Sequence, residues 1–320
     1  MSSRLHQPNT PSVVPRLAVV TAAATLLLIF VCGLVTNTGS ALAVPDWPTT
    51  FGHNMFLYPW SQMVGGVFYE HSHRLIGSAV GMLTVALAVA LWLREERRWV
   101  RRLGVVAVAA VCLQGILGGM RVVLLEHNLA ILHGCVAQAF LAVIVSLTVV
   151  TSQTWGSVGS IEDPGRLRVL ALLTLPAVYA QLVFGALVTH TGARLDAHLT
   201  FAVLVTLAVC LLVGRVLRLP ETPAALRRPA RSLLLLLALQ LALGSGAFLW
   251  RFTALSAALP PALGLAVLTI HRVTGAAVWA MSVVLSLRIL GCVGAPQPAQ
   301  VEGQAFSGSL AMDGSRQVLA

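Results

Sequence analysis

The chain has 320 residues, of which 57% are hydrophobic and only 10% charged, and its mean hydropathy is +0.85. Soluble globular domains carry about 25% charged residues, so this composition excludes a soluble globule and indicates an integral membrane protein. The net charge of +10 is spread over loops and helix ends rather than gathered in a basic soluble domain, which excludes nucleic-acid binding.

Apolar runs long enough to cross a bilayer recur along the chain. A membrane-spanning helix needs about 20 predominantly apolar residues, and eight such runs predict an all-α membrane protein with eight transmembrane helices. The predicted spans are 17–36, 72–93, 103–120, 129–150, 169–189, 198–214, 233–250 and 264–290.

Arginine placement predicts the orientation of these spans. All 21 basic residues are arginine, and 16 of them fall on the inner side if the N-terminus is cytoplasmic. This arrangement satisfies the positive-inside rule and predicts that both termini are cytoplasmic. Residues 1–16 are then a cytoplasmic tail, and residues 291–320, which are polar and lack periodicity, are predicted to be a disordered tail.

The chain also contains an internal repeat. The segment LVTNTG at 34–39 returns as LVTHTG at 187–192, and Leu-Gln with a nearby Gly at 113–118 returns at 239–244. Four helices per half is an even number, so both halves enter the membrane in the same sense, as parallel repeats. We therefore expect two four-helix bundles, 17–150 and 169–290.

Four histidines occupy matched positions in the two halves. His73, His133, His198 and His271 are each predicted to begin a span, the second, fourth, sixth and eighth, near the outer surface. Ionisable residues within membrane helices are costly and usually functional, and neutral imidazole is a good ligand for heme iron. The pattern predicts two heme sites, whereas a single histidine of this kind would more often be a hydrogen-bonded packing residue. Dispersal over four helices disfavours zinc.

Small residues follow each of these histidines by one helical turn. They are Gly77, Ala137, Ala202 and Gly275. At the i+4 position they share a face with the histidine, where they give clearance for a porphyrin ring or simply let two helices approach. Three other outer histidines, His71, His127 and His190, could be secondary ligands, propionate partners or solvated side chains, and the sequence does not assign one of these roles.

The first half carries features that the second lacks. Glu70 precedes His73 by three residues, and residues 37–69 form a long outer segment rich in proline and aromatic residues. A carboxylate near a heme edge can act as a base or stabilise a developing cation, although an acid at a helix N-terminus also interacts with the helix dipole. The aromatic residues predict a lid or a simple interfacial anchor.

At these residues the chain resembles the heme A synthase family. The matching stretches are VPDWPTTFGHNMF at 44–56, FYEHSHRLIGS at 68–78, QGILGG at 114–119 with ILHG at 131–134, GALVTHTG at 185–192, and IHRVTG at 270–275. The resemblance implies oxidation of a methyl group of heme O to a formyl group by successive hydroxylations. It also implies a bacterial cytoplasmic membrane and a partnership with the enzyme that makes heme O.

The resemblance further implies a role for each site residue. His73 and His133 would hold the substrate heme O, His198 and His271 would hold a heme b cofactor, and Glu70 would take part in catalysis. Heme iron would be the metal at all four histidines. Some members of the family carry a cysteine pair in the first outer loop, but residues 37–69 contain no cysteine, so a thiol relay is doubtful here.

Arg74 and Arg272 each follow a histidine directly. They could pair with heme propionates or reach outward to the interface. The alternative function is a diheme b-type membrane electron-transfer protein, which explains four histidines but not the features confined to the first half. The sequence does not identify the electron acceptor. It is compatible with a homo-oligomer.

Overall fold

The computed structural model describes residues 13–155, 160–161, 164–220 and 222–294, and these residues are almost entirely helical. The helices are α1 (Val13–Asn37), α2 (Gly66–Arg94), α3 (Arg98–Leu124), α4 (His127–Val150), α5 (Pro164–Thr191), α6 (Leu195–Leu217), α7 (Ala224–Phe252), α8 (Leu255–Ala258) and α9 (Pro261–Leu290). Most of both predicted tails, 1–12 and 295–320, lies outside the described residues.

Eight of these helices, all but the four-residue α8, are long and apolar enough to cross a membrane. The prediction of an all-α membrane protein with eight spans is therefore confirmed. Each helix is longer than its predicted span because the apolar criterion stops at polar residues that still belong to the terminal turns. For example, α2 begins at Gly66 rather than residue 72, and it therefore includes Glu70.

The eight long helices pack as two neighbouring sets of four. In the first set α1 contacts α2 and α4, and α3 lies between α2 and α4; in the second set α5 contacts α6 and α9, and α7 lies between α6 and α9. Helix α9 also packs against α1 and α4, and α4 packs against α5. The derivation of the two sets from one duplicated unit stays a prediction.

Helix α9 lies at the centre of this arrangement. In its most apolar stretch 61% of the residues are buried, against 33% or less in the other seven long helices. Two side chains join the second set to α4: Trp279 donates its indole N–H to the carbonyl of Gln138 at 2.9 Å, and Tyr179 donates to the carbonyl of Cys135 at 3.0 Å. Such interhelical hydrogen bonds favour association where lipid supplies no hydrophobic driving force.

The remaining described structure is short. Two 3₁₀ turns, Met55–Leu57 and Trp60–Gln62, lie in the outer segment between α1 and α2. Strand β1 (Ser160–Ile161) pairs in parallel with β2 (Val293–Gly294). The prediction of a disordered tail from residue 291 therefore begins too early, because residues 291–294 close against the link between the two helix sets.

Candidate functional site

The rings of His73 on α2 and His133 on α4 face each other inside the first helix set. Their centroids are 6.4 Å apart and their planes make an angle of 61°. With a metal–nitrogen bond of about 2 Å on each side, two imidazole rings that share one metal have centres roughly 6 Å apart. The separation fits two axial ligands of one metal centre.

A cavity of about 670 Å³ opens beside this pair and extends into the second set. His133, His198 and His271 all line it, whereas His73 does not. Its size lies within the range of cofactor pockets. The cavity connects the two helix sets, because α4 contacts both α5 and α9 and so carries His133 to the boundary between the sets.

Three of the four histidines do not begin their helices, which corrects the prediction for these three. His198 lies in the first turn of α6, but His73 and His133 lie about two turns inside α2 and α4, and His271 lies nearly three turns inside α9. The predicted spans began at apolar residues, so they omitted the polar or small residues in the outer turns of α2, α4 and α9.

Three of the histidine rings rest on a glycine of another helix. A Cβ atom placed on Gly118 would lie 3.4 Å from Cε1 of His133, and on Gly185 it would lie 3.2 Å from Cε1 of His198. On Gly244 it would lie 3.1 Å from Cε1 of His271, and in all three cases Nδ1 follows at 3.6 Å. The Nδ1 edge of each ring therefore lies against helix backbone.

Unsatisfied polar atoms concentrate around the same rings. Nδ1 of His133, His198 and His271 is buried and has no hydrogen-bond partner among the described residues. Within the same part of the chain, the buried side-chain amide oxygens of four glutamines also lack partners: Gln114, Gln138, Gln181 and Gln240. Buried polar groups without partners are rare in native proteins and call for a specific explanation such as a bound group. Gln138, Gln181 and Gln240 line the cavity, so their unpartnered amide oxygens fit a ligand that carries polar groups, whereas the Nδ1 atoms lie on the side of each ring that packs against helix backbone.

The small residues one turn after the histidines have the predicted placement in three of four cases. Ala137, Ala202 and Gly275 line the cavity. Gly77 instead approaches Leu28 of α1, since a Cβ atom placed on the glycine would lie 4.0 Å from Cδ1 of the leucine. The first site is therefore closed by α1 on the side of His73.

The cavity is lined by cations and, among the residues that the structure describes, by no acidic side chain. Arg121, Arg251 and Arg272 line it, and neither Asp nor Glu of the described ranges does. Arg272 donates to the hydroxyl of Thr36 at 2.9 Å, so α1 holds it at the boundary between the helix sets. Positive charge within a membrane is costly unless it is paired, and this lining therefore favours an anionic ligand.

Glu70 and Arg74 form a buried ion pair at the outer end of α2. Their side chains are 8% and 9% exposed, and Arg74 donates to Oε1 of Glu70 at 2.8 Å. Arg74 also donates to the carbonyls of Val44, Asp46 and Thr49 at 3.1, 2.7 and 3.0 Å, while Oε2 of Glu70 accepts the N–H of Val44 at 3.0 Å. The pair thus clamps the outer loop 37–65 to α2.

The clamped loop is braced by three further contacts. Asp46 accepts the hydroxyl of Thr49 and the N–H groups of residues 51 and 52, each of these two at 2.8 Å. His71, for which no role was predicted, joins its Nδ1 to the buried hydroxyl of Thr50 at 3.1 Å. The indole of Trp47 lies so close to Gly119 of α3 that a Cβ there would overlap it.

The pKa of Asp46 reflects this bracing. Desolvation by burial raises it, but the hydrogen bonds from Gly52, Thr49 and Phe51 together lower it more, so the net pKa of the carboxyl lies below its usual value. Hydrogen bonds to the charged form of a carboxylate favour ionisation. The loop therefore depends on the ionised form of Asp46.

Arg74 does not line the cavity. Its guanidinium is occupied by Glu70 and three loop carbonyls, so it acts as a loop clamp in this structure rather than facing the cavity. Arg272 does line the cavity. The five cysteines are all free, and Cys32 and Cys135 line the cavity.

Residues 15–199 match the family described as cytochrome oxidase assembly protein, over more than half of the chain. The chain belongs to this family. The matched region includes the outer loop, Glu70 and three of the histidines, His73, His133 and His198.

Two curated relatives were found by sequence. The chain is 32% identical over 189 residues to the heme A synthase of Shouchella clausii (strain KSM-K16) and 27% identical over 182 residues to that of Alkalihalophilus pseudofirmus (strain ATCC BAA-2126 / JCM 17055 / OF4). Each alignment covers 56% of this chain and 60% of the relative. The chain thus spans about 60% of the length of the curated relatives that it matches.

Proposed function

We propose that this family member is a heme A synthase, which oxidises a methyl group of heme O to a formyl group. The observation that carries the proposal is the pair of facing imidazoles, His73 and His133, 6.4 Å apart beside a cavity with two further histidines. The name of the two curated relatives supports the same activity.

The proposal assigns the substrate heme to the first helix set and heme b to the second. His73 and His133 would ligate the iron of heme O, and His198 and His271 would ligate that of heme b. These donors fit the group because His133, His198 and His271 have their Nδ1 edges held against backbone, which leaves Nε2 as the remaining nitrogen. Bound heme b would supply one-electron transfer near the substrate.

Arg272, with Arg121 and Arg251, would hold the anionic edge of a heme. These three arginines line the cavity, and no acidic side chain of the described residues lines it with them. Arginine recognises carboxylates through paired N–H donors, so heme propionates are suitable ligands. Arg74, in contrast, is assigned to the loop clamp.

Glu70 is proposed as the catalytic carboxylate of the first site. It precedes His73 by less than one turn on α2, and only 8% of its side chain is exposed. Conversion of a methyl group to a formyl group adds one oxygen atom and is a four-electron oxidation at carbon. With water as the oxygen source, CH₃ and H₂O give CHO, four protons and four electrons. A buried carboxylate near the reacting group can accept such protons, and the electrons would leave to an acceptor outside this chain.

The proposal places the protein in the bacterial cytoplasmic membrane with both termini in the cytoplasm. The arginine distribution supports this orientation. The enzyme that produces heme O is proposed as the partner that delivers the substrate, since a heme with a long apolar tail does not travel freely through water.

Extraction and mass analysis of the pigments from the purified protein test the function. Heme O or heme A beside heme b supports the synthase, and two equivalents of unmodified heme b would instead support the diheme electron carrier. The variant Glu70→Gln should keep both hemes but lose the formyl product. Arg74→Met is the matched control for the loop, because it weakens the same clamp while the carboxylate remains.

Normal heme A yield from Glu70→Gln would contradict the catalytic assignment. An equally low ratio of heme A to retained heme O in Glu70→Gln and Arg74→Met would show that the loop, and not the carboxylate, limits the reaction.

A further inference from the structure

A Gln-x-x-x-Gly pattern occurs in three helices, each packed against a helix that bears a histidine. It is Gln114 with Gly118 on α3, Gln181 with Gly185 on α5, and Gln240 with Gly244 on α7. A spacing of four residues places both members on one helix face. In each case the face looks toward the histidine of the next long helix in the chain.

The glycine of each pattern supports the ring. From a Cβ atom placed on the glycine, the distance to Cε1 is 3.4 Å for His133, 3.2 Å for His198 and 3.1 Å for His271. The last two are shorter than ordinary van der Waals contact, so a methyl group at Gly185 or Gly244 would push the ring by a few tenths of an ångström.

The glutamine side chain contacts the histidine in two of the three patterns, and in the third Gln181 lines the cavity together with His198. The Gln114 amide donates to the backbone carbonyl of His133 at 3.1 Å, and the Gln240 amide nitrogen lies 3.4 Å from Nε2 of His271. An amide N–H₂ group can only donate, so Nε2 of His271 is the acceptor in this contact. The amide has to move away from Nε2 before that lone pair can bind a metal.

The fourth histidine lacks this arrangement. The repeat that aligns residues 34–39 with 187–192 places Leu28 and Cys32 of α1 where α5 has Gln181 and Gly185. Leu28 approaches the turn after His73 at Gly77. His73 is also the one histidine of the four that does not line the cavity.

We propose that the Gln-x-x-x-Gly pairs are histidine seats, which position the imidazole rings for metal ligation, and that their number distinguishes the two sites. The second site has two seats, at His198 and His271, and so retains its heme as a resident cofactor. The first site has one seat, at His133, and so releases its heme after reaction. This inference rests on the proposed function.

The test measures heme b retained by the purified protein and the electron paramagnetic resonance signal of its low-spin iron, which reports the orientation of the two rings. Gly185→Ala and Gly244→Ala should each lower retained heme b about tenfold, the usual effect of disturbing groups behind a metal ligand, and shift the signal. Gly214→Ala on α6 is the matched control, because a Cβ there meets no atom of the described residues within 4 Å.

A second variant keeps the test decisive if the alanine variants do not fold. Leu28→Gln with Cys32→Gly adds a fourth seat beside His73, and it should increase the heme O and heme A that remain bound through purification about tenfold. Unchanged substrate-heme retention in this variant would overturn the proposal, as would wild-type heme b content and signal in Gly185→Ala and Gly244→Ala.

The outcomes separate this inference from the proposed function. A wild-type protein without heme would refute the proposed function itself. A wild-type protein that holds heme b, with alanine variants indistinguishable from it, would refute the seats alone.

Discussion

Removal of the Arg74 guanidinium should detach the outer loop from α2. Arg74→Met deletes four hydrogen bonds, one to Glu70 and three to loop carbonyls, and it leaves a buried carboxylate without its cation. Loss of one partner of a buried ion pair costs about 3–5 kcal/mol. At about 1.4 kcal/mol per factor of ten, the local opening of the loop should become at least about 100-fold more frequent.

Amide hydrogen exchange measures this opening directly. The N–H groups of residues 44, 50, 51, 52 and 53 are all hydrogen-bonded within the loop or to Glu70. The peptide 44–53 should therefore exchange about 100-fold faster in Arg74→Met, while α5 to α9 keep their protection. Arg231→Met, at an exposed arginine of α7, is the control for loss of charge.

Two results would refute the clamp. Unchanged exchange in the 44–53 peptide would show that the loop is held by other contacts. A larger effect from Glu70→Gln than from Arg74→Met would also contradict it, because Glu70 supports the loop directly only through the N–H of Val44, whereas Arg74 binds three carbonyls.

Further expectations concern the loop and the second site. Gly119→Ala should displace the Trp47 indole and raise protease sensitivity of the loop, whereas Gly115→Ala, whose Cβ meets no atom of the described residues within 4 Å, should not; equal sensitivity would argue against the contact. Because the pKa of Asp46 is lowered on folding, its contribution is complete above its unfolded pKa of about 4 and is lost as the pH falls through the lowered value. The protection factor of the loop, which is the exchange rate of an unstructured peptide divided by that of the loop at the same pH, should therefore stay high at pH 5 and fall in stronger acid, and Asp46→Ala should abolish that acid step. His271→Ala should abolish heme b retention, as measured by absorption spectra of the purified protein, and intact heme b would refute its role as a ligand.

The sequence predicted the helices well because the property it reports, apolar length, is the property that a bilayer selects. All eight predicted spans have a helix in the structure. It predicted helix ends less well, because the turns at an interface tolerate polar residues. The missed outer turns include Glu70 of α2, and they place His73, His133 and His271 inside their helices, so the expectation that these three histidines begin their helices was wrong.

Contacts between distant segments were less accessible from the sequence. The Pro-Asp-Trp-Pro loop and Glu70 were recognised as features of one half, but their joint dependence on Arg74 needed three-dimensional contacts. The repeat of Leu-Gln and Gly at 113–118 and 239–244 was visible as a repeat. The contact of this pattern with the histidine rings could be recognised only from the structure. It shows the third occurrence, at Gln181 and Gly185, and the short distance from each glycine to an imidazole.

The residues that clamp the loop and the histidine that lacks a seat lie in the same part of α2. Glu70 and Arg74 flank His73 on the same helix, so the loop attaches to the turn that carries the one histidine without a Gln-x-x-x-Gly neighbour. An ordered loop would then hold His73 in place of a seat, and opening of the loop would free it. Arg74→Met should therefore lower retained heme O and heme A while heme b, held by His198 and His271, stays at wild-type content. Equal loss of both pigments from Arg74→Met would show that the loop stabilises the whole protein instead of the first site.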